Sequence, residues 1–373
     1  MTQHPRLRVM IAGGGTGGHL FPGVALAERV KAAGGEVCFV GTAKGIEARV
    51  LPEDGWPLEL MEVTGIKGRG LRGLFGGLSR LPRAYFQSRA ILKRFRPDVV
   101  VGVGGYASGP VVFTARTMGI KTAILEQNSV PGVTNRILGR VVHRVYTTFP
   151  DEAGHFPPSK ILQAGNPIRL ALLERLVEAK AAIEGAPRPP RLFVFGGSQG
   201  AKAINDASLA MVGALRAAHP ELELWHQCGK ADHERVVAAY EAAGHHGDWL
   251  RVVPFIRDMA EPYAWADMAL CRAGATSLAE LSAVGCPAIL IPFPHATDNH
   301  QEHNARALVD AGAAVLVRES ELDPAALAER ISTLLGDRER LAQMRAAMDQ
   351  AARPLAAESI LNDLGQLSGV SGG

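Results

Sequence analysis

The sequence predicts an α/β protein of two Rossmann-like domains, each a parallel sheet wrapped by helices. Three observations carry this. Short apolar runs alternate with segments of helical spacing along the 373 residues, the rhythm of doubly wound parallel sheets. A strand–glycine loop–helix pattern appears as "VMIAGGGTGGH" and again in kind as "LFVFGGSQGAK". The Pro-rich "EGAPRPPR" between the two series has the composition of an interdomain linker.

In the first half, strands are expected at Arg8–Ala12, Val37–Val40, Asp98–Val103, Thr122–Leu125 and Arg144–Thr147. "GVALAERVKAAG" has helical spacing and ends at glycine, and Pro22 suits a helix's first turn, where a missing N–H costs nothing. A third glycine turn, "VVVGVGGYASGP", follows later. "AGNPIR" and a charged helical stretch lead to the linker, so the first domain is set at 1–165 and the linker region at 166–190. The second series has strands at Arg191–Phe195, Glu223–Gln227, Leu250–Pro254, Met268–Cys271, Ala288–Ile291 and Ala314–Leu316, giving a second domain at 191–340. Residues 341–373 form a helical tail, expected to pack back on the first domain. Ligands of open α/β sheets bind at the carboxyl ends of the strands. Two such domains would face each other across a cleft.

Composition bounds the function. The net charge of +3 is too small to imply a nucleic-acid partner, and a mean hydropathy of +0.06 is that of a soluble globular chain. The cysteines, Cys38, Cys228, Cys271 and Cys286, are scattered, which fits reduced thiols and argues against structural zinc. The amino terminus lacks a signal-peptide core, and no run approaches the ~18 apolar residues of a membrane span.

"IAGGGTGGHLFP" holds five glycines before a helix start. Free amides and the positive end of a helix dipole make an anion site there, and a phosphate is the expected ligand. The plainer reading is a tight turn, which needs fewer glycines. Three phosphate chemistries compete. Gly13-x-Gly15-x-x-Gly18 matches a dinucleotide fingerprint, yet the second strand ends "CFVGTAKG" without the acid that would hold a ribose. "GGSQGAK" resembles a P-loop but has Ala201 and Ala203 where Gly and a hydroxyl are needed. A nucleotide sugar is the third, and the second half favours it. Gly274-x-x-Ser277-x-x-Glu280 follows a strand, so Ala275, Thr276 and Ser277 would turn amides toward a diphosphate and Glu280 would accept from a ribose diol. The same spacing also fits a capping box, with Ser277 as N-cap. The polar run "HATDNHQ" would put Asp298, His300 and Gln301 at the cleft mouth for sugar hydroxyls, or is simply a solvated loop.

Taken together, "GGGTGGHLFP", "GVGGYASGP", "LEQNSVPG", "AGNPIR", "FGGSQGA", "WHQCGK" and "RAGATSLAEL" resemble, in order from about residue 9 to about 315, the MurG family of two-domain GT-B glycosyltransferases. The resemblance implies inverting transfer of GlcNAc from UDP-GlcNAc to the 4-hydroxyl of polyprenyl-diphosphate-linked MurNAc-pentapeptide, for peptidoglycan synthesis, at the cytoplasmic face of a bacterial inner membrane. It also implies roles. His19 is a proposed base at the donor–acceptor junction, and Thr16, Gly17 and Gly18 contact the donor. Asn128 reaches the sugar, Arg169 and Ser198 serve the nucleotide and diphosphate, and Ile256 lies against uracil. Ala275, Thr276, Ser277, Leu278, Ala279 and Glu280 hold diphosphate and ribose, and Gln301 binds GlcNAc hydroxyls. Some relatives carry Gln where this chain has His300.

One direct displacement needs a base. His19 is the candidate, since imidazole titrates near working pH; its alternative is a phosphate-binding or turn-capping histidine. Glu126 is a second candidate. The chain has no Asp-x-Asp pair, so no metal site, obligatory metal or other cofactor is expected. Two rival readings are a nucleotide-sugar epimerase and a non-catalytic nucleotide-sugar sensor of the same fold. Finally, Gly65 to Arg96 holds nine basic residues and no acid. Leu71, Leu74, Phe75 and Leu78 form an apolar stripe beside Arg72, Arg80 and Arg83, the pattern of an interfacial anchor on anionic lipid. The competing reading buries the stripe in a core, as expected for Ile91, Leu92 and Phe95.

Overall fold

A computed structural model of the chain describes residues 6–62, 81–183 and 188–370. The fold divides into two compact units, Met1–Leu170 with Pro354–Gly373, and Ala171–Arg353.

The first unit holds β1 (Arg8–Gly13), β2 (Glu36–Thr42), β3 (Leu58–Met61), β4 (Val99–Gly104), β5 (Lys121–Glu126), β6 (Arg144–Thr147) and β7 (Ile161–Gln163). All pair in parallel, in the order β3-β2-β1-β4-β5-β6-β7. The central strands are buried on both faces, which is why they read as unbroken apolar runs. Val9 and Ile11 join one core with Leu20, Val24 and Phe39. Met10 and Ala12 join the opposite core with Ile91, Leu92, Val111 and Leu138, and Phe95 packs against it. Helices α1 (Gly17–Ala32), α2 (Glu47–Glu53), α3 (Leu81–Phe95), α4 (Ser108–Thr117) and α5 (Val133–Val141) accompany these strands, and α6 (Leu170–Ile183) begins the second unit. β3 and β7, which the apolar pattern does not predict, are the two edge strands. Their sequences, LELM and ILQ, are half exposed and carry no run that a two-sided core would demand.

The second unit holds β8 (Arg191–Phe195), β9 (Glu223–Gln227), β10 (Leu250–Val253), β11 (Met268–Cys271), β12 (Ala288–Leu290) and β13 (Ala314–Leu316), in the order β10-β9-β8-β11-β12-β13. Its helices are α7 (Lys202–Ala218), α8 (His233–Ala242), α9 (Ala260–Trp265), α10 (Ala275–Val284), α11 (His300–Asp310), α12 (Pro324–Gly336) and α13 (Arg338–Ala351). In both sheets the strand order reverses beside the first strand, between β1 and β4 and between β8 and β11, and such switch points open ligand crevices at the carboxyl ends.

Two boundaries differ from expectation. The linker region 166–190 contains α6, and residues 184–187 lie outside the described residues. The tail is not one piece. α13 packs on α10 in the second unit, whereas α14 (Ala356–Ser368) packs on α1 in the first. There Asp363 accepts from Tyr146 Oη at 2.8 Å and from Arg144 Nε at 3.0 Å. All four cysteines are buried and free of disulfides. Among the described residues, no helix is long and apolar enough to cross a membrane.

Candidate active site

The glycine loop after β1 meets the loop after β4. Gly14 N–H donates to the Gly104 carbonyl at 3.1 Å, and a Cβ on Gly13 would overlap that same oxygen. Glu47, 1% exposed, reaches under the loop. Its carboxylate accepts from Gly15 N–H at 2.6 Å, from Thr42 N–H at 2.9 Å and from Thr42 Oγ1 at 3.0 Å. A Cβ on Gly14, Gly41 or Gly45 would run into this side chain. The glycines therefore serve close backbone approach and the housing of an internal carboxylate. The expectation that the loop's amides stand free for a phosphate is corrected for Gly14 and Gly15, whose N–H groups are taken within the protein. The helix also begins earlier than Pro22 suggests. Gly17 is its first residue, Thr16 is the N-cap without a side-chain cap, and Pro22 lies inside, leaving the Gly18 carbonyl without its helical donor.

His19, on the first turn of α1, sets Nδ1 3.2 Å from Gln127 Oε1. Gln127 is buried, and its Nε2 donates to the Val103 carbonyl at 3.1 Å. Glu126 is buried at the end of β5. Its oxygens accept from Asn128 N–H at 3.0 Å, Gly132 N–H at 3.3 Å and Asn135 Nδ2 at 2.8 Å. Burial raises its pKa against the pull of those hydrogen bonds. The carboxylate thus organises the loop that presents Asn128. Arg169, before α6, lies over the Phe21 ring at 5.3 Å. The first unit therefore holds Thr16, Gly17, Gly18 and His19 at the start of α1, and Glu126 and Asn128 at and just past the end of β5, with Arg169 against α1.

In the second unit, α10 starts at Ala275 with Gly274 as its extended N-cap and no side-chain cap. Ser277 is the helix's third residue, so the capping-box reading of Ser277 and Glu280 does not hold. Instead Tyr263 Oη donates to Glu280 Oε2 at 2.9 Å, and Ser277 also bonds that hydroxyl. Tyr263 was not signalled by any motif. Gln301 Oε1 accepts from Phe293 N–H at 2.9 Å, tying α11 to the end of β12. His300 Nδ1 donates to the Thr297 carbonyl at 2.8 Å. Between them, Asp298 and Asn299 hold φ of 52° and 53°, left-handed conformations that strain non-glycine residues and cluster at functional sites. Arg272, nearly buried, donates to the Ile291 and Pro292 carbonyls and pairs with Glu319, bracing the same loop. Ser198 is exposed in the loop after β8, and Ile256 is half-buried after β10.

Leu71, Arg72, Leu74, Phe75, Leu78 and Arg80 lie outside the described residues. Arg83 is described, and it pairs with Glu62 at 2.7 Å. Among the described residues, no group of three or more His, Cys, Asp or Glu is arranged to hold a metal.

Residues 9–147 match the glycosyltransferase family 28 N-terminal domain, and residues 191–360 match the family's C-terminal domain. The UDP-N-acetylglucosamine–N-acetylmuramyl-(pentapeptide) pyrophosphoryl-undecaprenol N-acetylglucosamine transferase of Anaeromyxobacter dehalogenans strain 2CP-C is 51% identical over 356 residues, 95% of this chain and 91% of that protein. The chain belongs to the MurG family of glycosyltransferases. The transferase of the same name from Myxococcus xanthus is 49% identical over 95% of this chain and 91% of its own. The crystal structure of Acinetobacter baumannii MurG superposes with a TM-score of 0.79 at 33% identity, covering 96% of this chain and 99% of that one. A UDP-GlcNAc 2-epimerase from Neisseria meningitidis, bound to UDP-GlcNAc, shares the fold at a TM-score of 0.66 and 13% identity, covering 96% of this chain and all of its own. MurG membership, carried by both domains, separates this chain from that epimerase.

Proposed function

We propose that this family 28 enzyme transfers GlcNAc from UDP-GlcNAc to the 4-hydroxyl of polyprenyl-diphosphate-linked MurNAc-pentapeptide, with inversion. The observation that carries the reading is identity near one half to transferases of that name over nearly the whole chain. Donor binding falls to the second unit. Ala275, Thr276, Ser277, Leu278 and Ala279 open α10 toward the diphosphate, Glu280 takes the ribose diol, Ile256 the uracil, and Gln301 the sugar hydroxyls. The buried Thr276 hydroxyl has no hydrogen-bond partner among the described residues, which supports a ligand there. Thr16, Gly17, Gly18, Asn128, Arg169 and Ser198 complete the donor contacts.

In the step itself, His19 takes the proton of the acceptor hydroxyl. The oxygen attacks C1 of GlcNAc opposite the departing UDP, whose charge is met by the α10 amides and Arg169. Glu126 keeps the Asn128 loop in shape. Without an Asp-x-Asp pair, the chemistry proceeds with no obligatory metal. Incubating the protein with UDP-GlcNAc, with and without lipid acceptor, tests the assignment. Acceptor-dependent UDP release supports it; epimerisation without acceptor, or binding without turnover in its presence, rejects it.

The acceptor is lipid-linked, and we assign membrane contact to the helical face of the first unit formed by α3, α4 and α5, together with the stripe at residues 71–78. Exposed Phe86, Phe113 and Ile137 lie one on each helix. A cavity of about 650 Å³ is lined by Phe113, Arg116, Arg140, His143 and Lys160 among others. Burial, then the nearby charges of Arg116 and Lys121, depress the His143 pKa. Each basic residue near anionic lipid adds ~1 kcal/mol. Vesicle co-sedimentation should require anionic lipid and weaken with salt. Replacing Leu74, Phe75 and Leu78 by Ser should reduce it; unchanged binding with a lower melting temperature would put the stripe in a core.

A further inference from the structure

We infer that Gln127 sets which nitrogen of His19 carries the proton, and so makes Nε2 the proton acceptor. The inference rests on the reading of His19 as the base. It starts from a backbone carbonyl. The Val103 oxygen can only accept, so the Gln127 group 3.1 Å away is the amide nitrogen, donating. The amide oxygen is then the end that faces His19 Nδ1, at 3.2 Å. An amide oxygen cannot donate, so that contact is a hydrogen bond only when Nδ1 carries the proton. In a neutral imidazole this leaves the lone pair on Nε2.

Rotation of the Gln127 amide is opposed at its Val103 end. A flipped amide would turn its oxygen toward the Val103 carbonyl, two acceptors face to face. Burial at 1% exposure keeps water from relieving that contact. The ring also depends on a glycine beside it. Gly104 has φ +95°, and a Cβ there would lie 2.7 Å from His19 Nδ1 and 2.9 Å from Cε1. β4 therefore does two things: its Val103 carbonyl orients the glutamine, and its Gly104 admits the imidazole. When Nε2 takes the acceptor's proton, the Nδ1–H bond to Gln127 remains in place, so the ring accepts charge without reorienting. Gln127 is a positioning residue; it acts through His19.

The test reads the tautomer directly. Long-range ¹H–¹⁵N correlation spectra of the full-length protein, labelled with ¹⁵N-histidine, report which ring nitrogen is protonated. His19 is assigned by the signal lost in His19→Ala. At a pH where the ring is neutral, protonated Nδ1 and bare Nε2 are expected; the opposite tautomer overturns the inference. Gln127→Leu keeps approximate shape but cannot accept. It should shift the tautomer and lower kcat by about tenfold, the lower end of what losing a histidine's orienting partner costs at metal sites, with donor KM within twofold. Parental tautomer and kcat in Gln127→Leu would overturn the inference. Gln127→Glu keeps an acceptor toward Nδ1 while its second oxygen, protonated, donates to the Val103 carbonyl. It should restore the parental tautomer and recover part of the kcat lost in Gln127→Leu, which a purely structural role for Gln127 would not do. Should Gln127→Leu not fold, the spectrum of the unaltered protein still decides. If His19→Ala retains kcat while the spectrum shows Nδ1–H, the base assignment fails and the tautomer assignment stands.

Discussion

Replacing Glu280 by Gln exchanges an acceptor for a donor where the ribose is proposed to bind. Tyr263 lies wholly buried, its ring edge-on to Phe193 and Phe195 at 6.0 and 5.7 Å. Burial, then the neighbouring Glu280 charge, raises its pKa well above the usual phenol range, so the hydroxyl keeps its proton and donates to Oε2 at 2.9 Å. In Glu280→Gln that hydroxyl still selects an oxygen. The amide nitrogen is then left facing the ribose, where a carboxylate oxygen had been. Hydrogen bonds to a charged group contribute about 1.5–3 kcal/mol, and 1.4 kcal/mol is about a decade of affinity. The donor KM should rise by about one to two decades. kcat at saturating donor should move less, because the ribose is held alike before and during transfer. Tyr263→Phe keeps the carboxylate and the ring packing, and should raise donor KM by about tenfold or less by the same scale. Initial rates at varied UDP-GlcNAc and fixed acceptor measure both, with circular dichroism to verify folding. A folded Glu280→Gln variant whose donor KM stays within twofold of the parent would refute the ribose role.

Further outcomes follow from the same geometry. His19→Ala should lower kcat by the ~10²–10⁴ of a lost general base, with UDP affinity by calorimetry nearly unchanged; collapsed UDP binding at near-parental kcat would make His19 a phosphate ligand. Gly104→Ala, at φ +95° and with its new Cβ 2.7 Å from His19 Nδ1, should displace the ring and depress kcat, and parental kcat would contradict the packing. Turnover should persist in EDTA; its loss, restored by Mg²⁺, would contradict the metal-free step. His226 is buried, and burial lowers its pKa to about 3, so between pH ~6.5 and 3 only the unfolded chain gains its proton. Stability should fall as pH drops through that window, by up to ~1.4 kcal/mol per unit, and His226→Asn should flatten the dependence of urea midpoints on pH.

The sheets were legible because a strand covered on both faces must be apolar where it is covered, as "VVVGVG" and the "LFVF" of β8 are. β3 and β7 escaped because an edge strand carries no such demand. The glycine loop marked a special place, but its purpose was only half readable. Glu47 stands 32 positions from Gly15, and no local pattern announces that a distant carboxylate has claimed an amide. The spacing of Ser277 and Glu280 fits a cap or a binding helix equally; the extended backbone of Gly274 decides it. Gln127 sat inside the quoted "EQN" between two residues that drew attention. Its role depends on a β4 carbonyl that sequence spacing cannot bring to mind, though its place just past a buried strand, one strand from the sheet's switch point, was a usable sign. Tyr263 reads as an ordinary core aromatic, and only its hydroxyl's partner distinguishes it.

The return of α14 to the first unit has a consequence for biosynthesis. Ile360, Leu361 and Leu364 close the core built on Leu20, Val24 and Val30. Between Leu170 and Ile360 the chain writes the whole second unit, about 190 residues. At translation rates of roughly 5–20 residues per second, that interval lasts on the order of 10–40 s. For that time the first sheet emerges with one flank of α1 bare, while the second unit acquires everything its own core needs. The half that carries His19 is begun first and completed last, and until then its apolar flank is open to misassociation on the ribosome.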